Sequence, residues 1–121
     1  MSEMSIRYYG YNKCGTCRKA KKWLDENDIA YEDIAIVDAP PAKEELRTYW
    51  QQSGLELKKF FNTSGQSYRE LGLKDKLKDM SEDDMLDLLA SDGKLIKRPL
   101  IVGAGKVTVG FKEDDMAKQW T

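Results

Sequence analysis

Two cysteines, Cys14 and Cys17, are the only ones in the chain, and just Gly15 and Thr16 separate them. They follow an apolar, β-prone stretch (Ile6, Tyr8, Tyr9) and run into a helical pattern carried by Ala20, Trp23 and Leu24. A strand, a tight turn and a helix that opens on a thiol favour a sulfur anion. The first N–H groups of a helix lack intrahelical partners and carry partial positive charge. A thiol with a pKa of about 8.5 is a few per cent thiolate at neutral pH, whereas one lowered to roughly 6 is mostly thiolate. Cys14, at the turn, is the expected nucleophile. Cys17, one turn into the helix, is expected to be better covered.

What is missing narrows the chemistry. The chain of 121 residues contains no histidine, so Ser–His and Cys–His pairs and His-ligated metals are excluded. Two cysteines cannot complete a Cys₄ zinc site within one chain, and no second CxxC supports a zinc shared between chains. A structural disulfide closing so short a loop adds little stability and is out of place in a reducing compartment. Redox chemistry is the stronger reading, because CxxC at a strand-to-helix junction is the thioredoxin-like signature. No cofactor is required.

Hydrophobic residues make up 40% and charged residues 34% of the chain, the composition of an ordinary globular domain. One domain spanning residues 1–121 is expected. No apolar run approaches the roughly 20 residues of a membrane span, and Met1-Ser2-Glu3-Met4 is unlike a signal peptide. A cytoplasmic protein with no membrane partner is therefore expected. Twenty basic and 21 acidic residues leave a net charge of −1, which gives no reason to expect direct nucleic-acid binding.

The elements that position the cysteines follow from hydrophobic spacing. Residues 5–9 read as a first strand. Gly15 to about Asn27 reads as a helix with Cys17, Ala20, Trp23 and Leu24 on one face, and the Arg18–Lys22 basic cluster on the others. A second strand lies within Ile29–Val37. This βαβ unit implies a parallel pair with a right-handed crossover. Pro40-Pro41 mark a helix start, with a helix over Ala42–Gln52 that places Leu46, Tyr49 and Trp50 on one side and stops at Gly54. Leu55 to Gly93 reads as short helices, including Leu57–Phe61, Ser67–Leu71 and one opened by Ser81-Glu82-Asp83-Asp84. Leu100–Val102 and Val107–Val109 form a hairpin, and Phe111–Trp120 a closing helix. The order βαβ, helices, ββα is an α/β, thioredoxin-like plan with a helical insertion at about residues 42–92.

Lys97-Arg98-Pro99 precedes the third strand, where a proline, unable to donate to a ladder, is tolerated. In thioredoxin-like folds a cis proline here packs beside the CxxC. Pro99 is expected to do so, an ordinary trans proline being the alternative. Arg98 would then lie close to Cys14, able to stabilise a thiolate or bind an oxyanion by its fork. The competing role is a surface ion pair.

Four motifs carry a family resemblance. They are Cys14-Gly15-Thr16-Cys17-Arg18-Lys19-Ala20, Pro40-Pro41-Ala42-Lys43-Glu44-Glu45-Leu46, Phe61-Asn62-Thr63-Ser64-Gly65 with Tyr68-Arg69-Glu70-Leu71-Gly72-Leu73, and Ile96-Lys97-Arg98-Pro99-Leu100. Together they resemble the thioredoxin-fold, glutaredoxin-linked arsenate reductase family and its relatives, the Spx transcriptional regulators, over about residues 6–120. The resemblance implies a four-stranded mixed sheet flanked by helices, with Cys14 as nucleophile and Asn12, Gly15, Thr16, Pro99 and Asn62 shaping the site. It also implies three arginines around the cysteine to hold arsenate, but only Arg98 is carried over. Asn62 and Gly110 stand at the other two positions, and Gly10 stands where the family has histidine. Each charge-assisted hydrogen bond is worth roughly 1.5–3 kcal/mol, so two missing forks argue against efficient arsenate reduction.

Two functions follow. In the first, a thiol–disulfide oxidoreductase, Cys14 attacks, Cys17 resolves and Arg98 stabilises the thiolate, with thioredoxin, glutaredoxin or a low-molecular-weight thiol as electron donor. In the second, a Spx-like regulator binds the RNA polymerase α-subunit and is switched by a Cys14–Cys17 bond. Cys17, the Arg18–Lys22 cluster and Gly54 are the residues that bear on it.

Overall fold

Alternation along Arg7-Tyr8-Tyr9-Gly10 sends neighbouring side chains to opposite faces of a sheet. A computed structural model of the chain describes residues 6–11, 14–63, 65–103 and 105–120. Strand β1 (Arg7–Gly10) leads into helix α1 (Gly15–Glu26), strand β2 (Glu32–Ala35) and helix α2 (Lys43–Ser53). A 3₁₀ turn over Leu57–Phe60 and the short helices α3 (Gln66–Glu70) and α4 (Leu73–Lys76) follow. Helix α5 (Glu82–Ser91), strands β3 (Leu100–Gly103) and β4 (Lys106–Val109), and helix α6 (Glu113–Trp120) complete the order.

Among the described residues the strands form one four-stranded mixed sheet in the order β2-β1-β3-β4. β1 pairs parallel with β2 (Tyr8 opposite Asp33) and antiparallel with β3 (Tyr8 opposite Ile101). β3 and β4 pair antiparallel, with Ile101 opposite Thr108. The thioredoxin-like βαβ and ββα halves are thus brought together at β1 and β3, the central pair. Edge strand β2 carries Glu32 and Asp33 exposed, charge that discourages edge-to-edge pairing.

Each face buries its own apolar layer. Tyr8, Ile101, Cys17, Ala20, Leu24, Met116 and Trp120 pack on the side of α1 and α6. Tyr9, Leu100, Val102, Leu46, Phe60, Leu86 and Leu89 pack on the other, under α2 and α5. The expected α1 stripe is present, with Cys17, Ala20 and Leu24 buried and Trp23 packed against the same layer from its margin. Within that layer the Trp120 indole N–H donates to Thr108 Oγ1 at 3.2 Å, so the closing helix is held by a satisfied polar contact as well as by burial.

Local chemistry sets the element ends. Ser81 Oγ accepts the Asp84 N–H at 3.1 Å, capping α5. Gly54 ends α2 with φ +70, the left-handed conformation that favours glycine. Helix α2 begins at Lys43 rather than Ala42, because Ala42 is the extended N-cap and its N–H donates to Glu45 Oε1 at 3.0 Å. Helix α6 begins at Glu113 rather than Phe111, since the backbone first turns through Gly110 at φ +77.

Leu46 has no exposed surface, whereas Leu71 is 42% exposed. Leu46→Ala is expected to cost about 2–5 kcal/mol of unfolding free energy, against within about 0.5 kcal/mol for Leu71→Ala. Urea denaturation of the two variants checks the difference.

Candidate functional site

Cys14 is the N-cap of α1, and its backbone is extended (φ −100, ψ 118). Its N–H donates to the Tyr11 carbonyl at 3.0 Å and its carbonyl accepts the Arg18 N–H at 3.2 Å. The position usually holds Ser, Thr, Asp or Asn, whose side-chain oxygen takes a free helix N–H. Here sulfur does so, with the Cys17 N–H donating to Cys14 Sγ at 3.3 Å. No acidic residue lies in the first turn to cancel the positive end of the helix. Cys14 is half-buried and Cys17 is 1% exposed, both as free thiols. Gly15 and Thr16, between them, are exposed. Asn12 lies outside the described residues.

Burial pushes the Cys17 thiol up to about 12, and the adjacent Cys14 sulfur, within hydrogen-bond reach, adds to the shift. A backbone hydrogen bond from Tyr11 and the charge of Arg98 oppose it. The two sulfurs therefore differ in kind. One is half-buried and accepts a helix N–H, while the other is sealed and protonated at neutral pH.

Arg98 is half-buried, with its guanidinium 5.0 Å from the centroid of the Tyr11 ring, a cation–π contact. Tyr11 thus joins Arg98 on one side to the Cys14 backbone on the other. The Arg98–Pro99 peptide is cis, as the sequence predicts. Pro99 is buried, and its carbonyl accepts the Gly110 N–H at 3.0 Å. Asn62 is brought to the approach of this segment by a short antiparallel ladder. Its N–H donates to the Leu95 carbonyl, and the Lys97 N–H donates to the Phe60 carbonyl, each at 2.7 Å.

Three residues in this region escaped the sequence reading. The Tyr8 hydroxyl donates to the Cys17 carbonyl at 2.8 Å in a buried setting. Burial first, and then the neighbouring Cys17, push its ionisation far upward, so it remains a neutral donor. The Tyr8 ring lies over Gly10, and a Cβ there would collide with it. A large side chain two residues before a glycine on one strand is the signal that could have found this arrangement. Tyr11 is the second. Lys97 is the third: a Cβ at Gly110 would be 2.9 Å from its Cε and 3.7 Å from its Nζ. Both glycines at positions where the resemblance implied side chains are therefore overlain by side chains from elsewhere. A cleft of about 700 Å³ opens beside Cys17, lined in part by Tyr8, Tyr11, Arg18, Asp38 and Lys94. Among the described residues no cluster of three or more cysteine or carboxylate groups is arranged to hold a metal, and no helix is long and apolar enough to cross a membrane.

This four-stranded mixed sheet, with a cysteine as the N-cap of its first helix, defines a thiol oxidoreductase-like fold of the thioredoxin type. The family model for the ArsC family matches residues 9–119, and the chain belongs to that family. It is 62% identical to the protein YusI of Bacillus subtilis over 97% of this chain and 99% of that one. The crystal structure of an ArsC family related protein from Bacteroides fragilis superposes with a TM-score of 0.93 at 50% identity, covering 97% and 98% of the two chains. An arsenate reductase from Vibrio cholerae superposes at 0.85 with 29% identity over 98% and 99%. The global transcriptional regulator Spx of Lactiplantibacillus plantarum is more distant, 24% identical over 91% of this chain and 82% of that one.

The buried thiol gives a pH test. Cys17 binds its proton more tightly folded than unfolded, so its contribution to stability is complete below about pH 9 and is lost as pH rises towards about 12. In the native protein at neutral pH an alkylating reagent is expected to modify Cys14 alone. Unfolding free energy is expected to fall between pH 9 and 12, less steeply in Cys17→Ala. Rapid alkylation of Cys17 in the native state at neutral pH would contradict the assignment.

Proposed function

We propose that the protein is a thiol–disulfide oxidoreductase in which Cys14 is the nucleophile and Cys17 the resolving thiol. The Cys14 thiolate attacks one sulfur of a substrate disulfide. The S–S bond breaks, and the departing sulfur takes a proton to leave as a thiol. Cys17 then gives up its proton and attacks Cys14 Sγ in the mixed disulfide, releasing the second substrate thiol and leaving a Cys14–Cys17 disulfide. Two electrons and two protons from an external dithiol or two thiols, supplied by thioredoxin, glutaredoxin or a low-molecular-weight thiol, restore the reduced protein. Arg98, held over Tyr11, stabilises the anionic sulfur, while Asn12, Gly15, Thr16, Pro99 and Asn62 shape the approach. The observation that carries this reading is the Cys17 N–H donated to Cys14 Sγ, with the second sulfur sealed one helical turn behind it.

Arsenate is a poorer fit than a disulfide. A doubly charged oxyanion needs several forked donors, and Arg98 is the one arginine carried over to the family's three positions. Asn62 supplies an amide, and Gly110 is covered by the Lys97 stem. Residues 1–121 would act as one thioredoxin-like domain, with about 42–92 as its helical insertion, in the reducing cytoplasm where such couples turn over. A second reading, a regulator that binds the RNA polymerase α-subunit when oxidised, is favoured by the CxxC pair and by the likeness to Spx. Binding of that subunit's C-terminal domain to the oxidised chain, with no disulfide turnover, would select it.

In a coupled disulfide-reduction assay Cys14→Ser is expected to abolish turnover, and Cys17→Ser to accumulate a mixed disulfide on Cys14. Arg98→Ala is expected to slow the attack roughly 10-fold or more, the loss of one charge-assisted contact. Undiminished turnover by Cys14→Ser would overturn the proposal.

A further inference from the structure

A second concave feature lies on the helical side of the molecule. The 3₁₀ turns Leu57–Phe60 and Leu77–Asp79, helices α3 and α4, and the start of α5 border a pocket of about 470 Å³. Its floor is apolar. Tyr68 and Leu77 are buried, and Met80 and Met85 are half-buried. Its rim is made of four exposed lysines, Lys58, Lys59, Lys74 and Lys78. No carboxylate lines it, although Glu56, Asp75 and Asp79 are close in sequence. Among the described residues only Lys58 of the four forms an ion pair, with Glu56 at 3.3 Å, both side chains well exposed. In a chain of net charge −1, this is a rim of four ammonium groups, one of them paired, around an apolar cup.

We infer that this lysine-rimmed pocket receives an acidic segment of a partner protein, with an apolar anchor residue on the methionine floor and flanking carboxylates on the ammonium rim. Methionine side chains adapt to an incoming apolar group of variable shape, and complementary charge around such an anchor steers encounter and fixes register. A nucleic-acid strand fits less well, since stacking calls for exposed aromatic faces and the one aromatic here, Tyr68, is buried against Phe61 with ring centroids 6.4 Å apart. A membrane surface fits less well too, because it takes projecting apolar side chains rather than a cup. Phe61 bridges to Ile96, and the next residues are Lys97, Arg98 and Pro99. The pocket is thus one ladder away from the segment that carries Arg98. Resting on the oxidoreductase reading, the partner would be a protein that brings its disulfide or dithiol to Cys14 while its acidic segment is held here.

The probe is a short blocked peptide of glutamates interrupted by leucine and phenylalanine, titrated into the full chain by calorimetry at low and high salt. Saturable binding that weakens with salt is expected. It should fall roughly 10-fold or more in Lys59→Glu/Lys78→Glu, and be lost when the peptide's apolar residues become serine. Binding is expected to be unchanged in Cys14→Ser, and small-molecule disulfide turnover unchanged in the lysine variant, so a failure of the pocket is separable from a failure of the thiol chemistry. No saturable binding, equal binding of the serine peptide, or tighter lysine-dependent binding of single-stranded RNA or anionic vesicles would each overturn the inference.

Discussion

The hydrogen bond from the Cys17 N–H to Cys14 Sγ is the contact on which the rest of the structure bears. It makes a sulfur the cap of α1, which fixes that sulfur at the positive end of the helix and leaves Cys17 directed into the core one turn on. Each neighbouring element serves this placement. β1 delivers the chain to the turn, the Tyr11 carbonyl takes the Cys14 N–H, and the Tyr11 ring takes the Arg98 guanidinium. The free-thiol pair is asymmetric because one N-terminal helical turn spans the boundary between solvent and core.

A second constraint is how two glycines are covered by side chains. Position 10 is glycine and Tyr8 leans across it to reach the Cys17 carbonyl, while position 110 is glycine and Lys97 lies over it. The Tyr8 phenol is thereby held as a neutral donor to the turn that carries Cys17.

The frame of this site was readable from the residues. The CxxC spacing after an apolar strand, the 17–20–24 stripe, the Val-rich hairpin, Gly54 as a helix stop and the proline before β3 are local signals, and the structure bears out each of them. The short helices between Gln66 and Lys76 are at best half legible, because four- and five-residue turns carry too little periodicity to set their ends. The parts that escaped are non-local. That Tyr8 would cap a carbonyl nine residues on, that Arg98 would stack on Tyr11, and that Lys97 would occupy the space over Gly110 all depend on strand register and on how two loops meet. No spacing rule within one segment encodes those.

The most direct measurement is the redox state that a mild oxidant produces. After equilibration of the reduced protein with a dithiol–disulfide buffer and acid quenching, peptide mapping by mass spectrometry identifies which sulfurs are joined. A single intramolecular Cys14–Cys17 disulfide that forms reversibly as the buffer becomes more oxidising is expected. Oxidation that instead joins Cys14 to a second copy or to the buffer thiol, with Cys17 remaining a free thiol throughout, would contradict the pairing of a half-buried nucleophile with a fully buried resolving sulfur.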